Sequence, residues 1–198
     1  MKSAVERAQF GKAETPFPSA QGLDVVIVGT GDTASDCVAT ALRQGCLSVT
    51  QLVRRPMEDY LNSRGHLPLA YAHEEALAVF GSDPRRFGVQ VKNLISNERG
   101  ELTGLVTSDG DSIPCQLLIG ATGFTGCRKD VCQAFGVDMD RTVKTSKGSY
   151  ATSVDKVFSA GDMRRGQSLV VWAIAEGRSA AAQIDKYLIG YTNLVSSI

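Results

Sequence analysis

The feature that most constrains this chain is an apolar run that ends in a pair of glycines. Residues 23–28 read LDVVIV, and Gly29-Thr30-Gly31 follows directly. Small and apolar residues then recur at helical spacing to residue 44, and a second β-branched run lies at residues 48–53. Strand, glycine turn, helix and strand form a βαβ unit of about thirty residues, whose strands lie parallel in a sheet buried on both faces. We therefore predict an α/β fold.

Length and composition limit the number of domains and exclude two classes of partner. The chain has 198 residues, 43% of them hydrophobic, which is enough for one large or two small domains. Its 21 basic residues balance 21 acidic ones, so we expect neither a nucleic-acid nor a membrane partner. Residues 1–22 lack the apolar core of a signal peptide, and the apolar run at residues 169–175 is too short to span a bilayer. We expect a cytoplasmic protein.

Three further apolar runs predict strands, at residues 87–95, 100–108 and 112–123. The turn residues between them, including Asp109-Gly110, are typical of a small antiparallel insert. Around these strands we expect a lead-in over residues 1–21, a polar excursion over 57–72 and a short helix over 73–81.

The carboxy-terminal third predicts two helices and a strand. A helix is expected within residues 127–135, and residues 156–162, KVFSAGD, are typical of a strand that ends in a turn. Residues 168–188 have the longest helical pattern, with Ser168 as the predicted N-cap.

The first glycine turn has the pattern G-x-G-x-x-A, from Gly29 through Gly31 to Ala34. Gly29 permits a tight turn, Gly31 lets a pyrophosphate approach the backbone, and Ala34 keeps helix and strand close. The helix that begins with Asp32 and Thr33 offers free N–H groups to the phosphate. We predict a Rossmann-like three-layer dinucleotide-binding domain; the alternative is a βαβ unit whose glycines serve packing alone.

Two arginines stand where the second strand ends. An NAD site usually carries Asp or Glu at this point to bind the ribose hydroxyls, whereas this chain has Arg54 and Arg55 and no carboxylate before Glu58. Guanidinium groups suit a ribose 2′-phosphate, so the pair predicts NADP(H). The alternative is an ordinary solvated arginine pair.

The cysteines and histidines predict no metal site. Five cysteines include no C-x-x-C pair, and the spacing of Cys127 and Cys132 matches neither a thioredoxin-like redox pair nor a zinc knuckle. We interpret all five as buried or idle thiols of a reducing compartment. The histidines, His66 and His73, have no partner pattern and are expected at the surface or in loops.

Two later motifs resemble those of the two-dinucleotide flavoprotein disulfide-reductase superfamily. They are ATGF at residues 121–124, which contains Gly123, and VFSAGD at residues 157–162. The resemblance implies that Gly161-Asp162 contacts the ribityl chain of FAD. It also implies that the helix beginning around Gln167-Ser168-Leu169 points its positive end at the flavin ring. From the residues alone, Asp162 would only organise a turn and Ser168 would only cap a helix.

Three longer stretches are more specific. They are GDTASDCVATALRQGCLSVTQLVRRP, YAHEEALAVFGSDPRRF and GDMRRGQSLVVWAIAEGRSAA, and they resemble the small (β) subunit of bacterial glutamate synthase. This family passes hydride from NADPH to FAD and electrons onward to a large subunit that makes glutamate. Because hydride transfer depends on how two cofactors are oriented, we expect cofactor-binding residues and no catalytic side chain.

The resemblance covers residues 25–188 but not the whole family pattern. The family has an amino-terminal iron–sulfur region and a first glycine motif for FAD, and this chain is expected to begin just ahead of the nicotinamide domain. The implied organisation is an NADP-binding domain over residues 22–122 and the carboxy-terminal part of a FAD-binding domain over 123–198. This implied organisation fits a cloned fragment, a truncated gene product or one piece of a split protein.

Two rival functions remain open. One is a thioredoxin- or ferredoxin-reductase-like flavoenzyme, against which the absent C-x-x-C pair speaks. The other is a non-catalytic NADP-binding or interaction module. We expect the FAD site to be shared or incomplete. FAD then binds only if the missing amino-terminal half of the site is supplied. We also expect an exposed apolar surface over residues 169–175, which favours a large glutamate synthase-like subunit or self-association as partner.

Overall fold

The structure is a computed structural model that describes residues 18–64 and 70–198. Residues 1–17, which are most of the predicted lead-in, lie outside the described residues, and His66 does so too. The chain forms two compact units, the first ending at Gly123 and the second running over Phe124–Ile198.

The first unit alternates strands and helices as the βαβ pattern predicts. Its elements, in chain order, are β1 (Asp24–Val28), α1 (Asp32–Arg43), β2 (Ser48–Val53), α2 (Met57–Arg64), α3 (Tyr71–Phe80), β3 (Arg85–Phe87), β4 (Val91–Ser96), β5 (Leu102–Thr107), β6 (Ser112–Pro114) and β7 (Leu117–Gly120).

Four of these strands form a parallel sheet in the order β3-β2-β1-β7. The central strand β1 is buried on both faces, since Val25, Val26 and Ile27 are all at most 1% exposed. This burial explains why the run is continuously apolar. In the register, Val28 lies opposite Leu52 and Gly120, so the carboxyl ends of β1, β2 and β7 share one edge.

The sheet is the middle of three layers. Val25 and Ile27 pack against small residues of α1 and α3, including Ala34 and Ala76. On the opposite face, Val26 packs in a second cluster with residues of the antiparallel sheet β4-β5-β6. The predicted three-layer arrangement with an antiparallel insert is confirmed.

Three boundaries in this unit differ from the prediction. The polar excursion 57–72 contains α2 (Met57–Arg64), and the helix predicted from residue 73 begins at Tyr71. The strand candidate 87–95 is divided at Gly88, which has a φ of +72°. The candidate 112–123 is divided too, because β6 joins the antiparallel sheet whereas β7 pairs parallel to β1.

The second unit is built on one long helix. Its helices are α4 (Lys129–Phe135), α5 (Asp162–Arg165) and α6 (Val170–Ile189). The side chain of Gln183 on α6 accepts hydrogen bonds from Tyr150 N and Ser149 Oγ, and the hydroxyl of Tyr187 donates to Asp155. These bonds attach the irregular segment 145–160 to the helix.

The strand predicted over residues 156–162 is wrong. Phe158 forms only an isolated bridge with Ala151, and Lys156 has a φ of +63°. A strand needs a neighbour along its length to pair its backbone groups. Among the described residues, the segment 156–162 has only that single bridge.

Candidate dinucleotide-binding site

The glycine turn between β1 and α1 is held tightly against β7. Gly29 donates its N–H to Leu52 O at 3.1 Å and has a φ of +146°. A β-carbon on Gly29 would lie 2.1 Å from the carbonyl oxygen of Ala121. Only glycine fits this position, because both the dihedral angle and the close approach exclude a side chain.

Gly31 has a different role in the same turn. It is the N-cap of α1, with φ −84° and ψ 179°, and no side chain caps the first turn. A β-carbon here would meet no atom of the described residues within 4 Å. The space above the helix N-terminus is therefore open, and Asp32 and Thr33 are exposed at its rim. This is the geometry in which backbone N–H groups bind a phosphate, so the residues fit a pyrophosphate.

Arg54 and Arg55 follow β2 at the same edge of the sheet as the glycine turn. Both are exposed, and neither forms an ion pair with a carboxylate within residues 18–64 and 70–198. Gly123 also follows this edge, three residues beyond β7, with a φ of +93°. The structure thus brings together the predicted site residues of the first unit: Gly29, Gly31, Asp32, Thr33, Arg54, Arg55 and Gly123.

The remaining predicted site residues lie together in the second unit. Gly161 has φ 63° and ψ −142°, which is accessible to glycine, and Asp162 begins α5 in an exposed position. Gln167 Nε2 donates to Gly126 O at 3.0 Å. Ser168 and Leu169 are exposed just before α6.

Ser168 is not the N-cap that the sequence predicted. The N-cap is Leu169, with φ −72° and ψ 147°, and no side chain caps the helix. Ser168 lies one position too early for its hydroxyl to reach the N–H groups of the first turn. The start of α6 therefore keeps N–H groups without a side-chain cap, as the start of α1 does.

A sequence profile described as pyridine nucleotide-disulphide oxidoreductase matches residues 4–177, which is most of the chain. The chain belongs to the pyridine nucleotide-disulphide oxidoreductase family.

Curated relatives of this family member include glutamate synthase (NADPH) small chains. The Bacillus subtilis (strain 168) protein is 38% identical over 202 residues, covering 88% of this chain and 41% of the relative. Glutamate synthase (NADH) of Schizosaccharomyces pombe is 34% identical over 207 residues, covering 90% of this chain and 10% of the relative. The resemblance predicted from the sequence is confirmed, and the chain spans about two fifths of the bacterial small chain.

Solved structures confirm the fold. The T. acidophilum thioredoxin reductase has a TM-score of 0.68 at 18% identity, over 94% of this chain and 56% of that one. The putidaredoxin reductase of a covalent complex with putidaredoxin has a TM-score of 0.65 at 21% identity, over 87% and 42%.

Two buried polar residues beside the glycine turn, Gln51 and His73, were not predicted as site residues. Gln51 donates from Nε2 to Gly29 O at 2.8 Å, and its Oε1 lies 2.9 Å from His73 Nε2. His73 is only 4% exposed, so the prediction that it lies at the surface or in a loop is wrong. Burial lowers the pKa of His73, and the Arg85 guanidinium lowers it further, although Asp83 opposes this effect. The sequence feature that could have indicated this buried contact is a polar residue, Gln51, within the apolar strand β2.

In the second unit, the buried polar residue that was not predicted as a site residue is Glu176. It is 1% exposed, and it accepts hydrogen bonds from Gly161 N at 2.8 Å and from Arg164 Nη1 at 2.7 Å. Its carboxylate therefore fixes the turn that presents Asp162. The signal was an acidic residue within the apolar stretch VVWAIAEG of the long helix.

The beginning of α6 is apolar and exposed, as expected. Leu169, Val170, Val171 and Ile174 are between 53% and 74% exposed. In the described part of the chain, no three His, Cys, Asp or Glu residues are placed to hold a metal ion. Of the helices in that part, none is both long and apolar enough to cross a membrane.

Proposed function

We propose that this chain is the NADPH-binding part of a flavin-dependent oxidoreductase of the glutamate synthase small-chain type. Hydride would pass from NADPH to FAD, and electrons would pass onward for glutamate synthesis. The observation that carries the proposal is the meeting of the open glycine turn at Gly31 with Arg54 and Arg55 at one sheet edge. The similarity to glutamate synthase small chains supports the reaction class.

In this proposal the domain formed by residues 22–122 holds NADP(H). The backbone of Gly29 and Gly31 and the N–H groups of Asp32 and Thr33 would bind the pyrophosphate. Arg54 and Arg55 would bind the ribose 2′-phosphate through charge-assisted hydrogen bonds. Curated relatives are named for NADPH or for NADH, so the nucleotide preference rests on the two arginines.

The carboxy-terminal part of the chain, residues 123–198, would supply part of a FAD site. Its residues would be Gly123, Gly161, Asp162, Gln167, Ser168 and Leu169, with the uncapped start of α6 facing the flavin. FAD would accept hydride when bound. The exposed side chains at the start of α6 support a site that is completed by further chain, by a large subunit or by self-association. We place the protein in the cytoplasm, where thiols stay reduced.

The proposal is tested by titrating the chain with NADPH and with NADH. The Arg54→Ala, Arg55→Ala variant should lose about ten- to a hundredfold in NADPH affinity and little in NADH affinity, because the charge-assisted contacts to the 2′-phosphate are lost. The matched control is Lys92→Ala, Arg99→Ala, which removes two exposed positive charges from the antiparallel insert. Equal wild-type affinities for the two nucleotides would contradict the assignment.

A second candidate is a non-catalytic NADP-binding module, which the open start of α6 favours. Saturation with FAD, desalting and a visible spectrum test whether this chain holds a flavin by itself. We expect this 198-residue chain alone to lose the flavin, because most of the burial that makes a flavin site tight is not provided by the second unit. A stoichiometric flavin band would show that the chain, or a dimer of it, forms the whole site.

A further inference from the structure

Two cysteines of the second unit, Cys127 and Cys132, lie close together. The Sγ atoms of Cys127 and Cys132 lie 3.5 Å apart. Cys127 precedes the N-cap Arg128 of α4, and Cys132 lies within that helix. Cys132 is 1% exposed, whereas Cys127 is only half-buried. The proposed function uses neither thiol.

The distance between the two sulfurs is short enough for a disulfide bond to form by local movement. A disulfide bond is about 2.05 Å long, so the sulfurs need to approach by about 1.5 Å. Cys132 is held in the helix by its N–H bond to Arg128 O. Cys127 lies outside the helix, so rotation of its side chain can provide most of the movement.

We propose that Cys127 and Cys132 form a reversible dithiol–disulfide site, oxidised by low-molecular-weight disulfides. The Cys127 thiolate attacks the oxidant, forms a mixed disulfide and releases one thiolate, which takes up the proton that Cys127 lost. Cys132 then gives up its proton, attacks the Cys127 sulfur and expels the second thiolate. The pair loses two electrons and two protons, and the oxidant becomes two thiols.

The environments of the two thiols set the order of these steps. Burial raises the pKa of Cys132, and its contact with Cys127 and the nearby Asp130 carboxylate raise it further. Cys132 therefore stays protonated and covered until a mixed disulfide forms beside it. Cys127 is the thiol that an oxidant in solution reaches first.

The site lies beside a residue of the proposed flavin region. The carbonyl of Gly126, the neighbour of Cys127, accepts the hydrogen bond from Gln167. A β-carbon on Gly126 would lie 2.2 Å from Arg141 O, so this backbone is closely confined. Any backbone shift that disulfide formation causes at Cys127 would therefore act on the segment that Gln167 contacts. This consequence, unlike the disulfide itself, rests on the proposed function.

The test uses the full chain with oxidised glutathione, acid quenching, alkylation with N-ethylmaleimide and mass spectrometry. Of the five thiols, we expect oxidation to leave three open to alkylation. Trypsin cleaves after Arg128 and after Lys129, so the disulfide joins peptide 130–141 to peptide 100–128. Fragmentation then distinguishes Cys127 from Cys115 on the second peptide. Dithiothreitol should restore all five thiols.

Variants make the assignment specific. Cys115→Ser should keep the joined peptides, and Cys127→Ser should abolish them and leave Cys132 unmodified. Cys132→Ser should trap glutathione on Cys127. The proposal is overturned if wild-type Cys127 and Cys132 both remain alkylatable, if Cys127 only accumulates glutathione, or if either cysteine joins a different one. Because the readout is covalent, it does not depend on whether nucleotide or flavin binds.

Discussion

The side-chain amide of Gln51 donates a 2.8 Å hydrogen bond to the backbone carbonyl of Gly29, the first glycine of the turn between β1 and α1. Ala70 N donates to His73 Nδ1, so the ring proton is on Nε2, which donates to Gln51 Oε1. A buried helix residue is thereby connected through Gln51 to the turn. The dihedral angles that Gly29 adopts are thus supported by a side chain as well as by the neighbouring strands.

Replacing Gln51 by leucine tests this connection. Gln51→Leu should destabilise the first unit by about 1–3 kcal/mol, because His73 Nε2–H and Gly29 O lose their buried partner. The measurement is chemical denaturation of wild type, both single variants and the double variant with His73→Leu. We expect the double variant to cost less than the sum of the singles.

Gln90→Leu is the matched control, because Gln90 is exposed in the same unit. It should change the free energy of unfolding by less than about 0.5 kcal/mol. Additive effects of Gln51→Leu and His73→Leu would refute the coupling.

The two glycines of the turn should respond differently to substitution. Gly29→Ala should destabilise the fold by more than about 2 kcal/mol, since its β-carbon would overlap Ala121 O. Gly31→Val should leave the circular dichroism spectrum unchanged but abolish NADPH binding, because the side chain occupies the open space over α1. Normal NADPH binding by Gly31→Val would place the phosphate elsewhere.

Glu176 should be the main polar support of the second unit. Glu176→Ala removes the acceptor of Gly161 N and of Arg164, and should cost about 2–4 kcal/mol. Glu176→Gln keeps one acceptor and should cost less. Trp172 is the single tryptophan of the chain and lies on α6, so its fluorescence reports unfolding of this unit. Arg178→Ala, an exposed change on the same helix, should have little effect.

The stability of the first unit should fall in mildly acidic solution. Because the folded-state pKa of His73 lies below its ordinary 6.5, the unfolded chain binds more protons between the two pKa values. The neutral ring therefore stabilises the fold above about pH 6.5, and this contribution is lost as the pH falls through the folded-state pKa. The urea midpoint should decrease between about pH 7.5 and about pH 5, where carboxylates remain charged.

The matched variants are His73→Gln and His66→Gln, since the chain has two histidines. The decrease should disappear in His73→Gln and persist in His66→Gln. A midpoint that falls equally in both variants would assign the effect to other groups.

Features that depend on local pattern were predictable from the amino-acid sequence alone. Strand β2 was predicted at the residues it occupies, and α1 begins at the predicted Asp32, because apolar periodicity and turn glycines act over a few residues. The shared location of Gly31 with Arg54 and Arg55 was also predictable, because the carboxyl ends of adjacent parallel strands lie at one edge.

Contacts between residues that are distant in the sequence became evident only from the folded chain. The partners Gln51 and His73 are 22 residues apart, and Gly161 and Glu176 are 15 apart. Buried polar groups must find a partner wherever the fold provides one, and no sequence period encodes that choice. The strand predicted over residues 156–162 failed for a related reason, because a strand exists only where a neighbour pairs with its backbone.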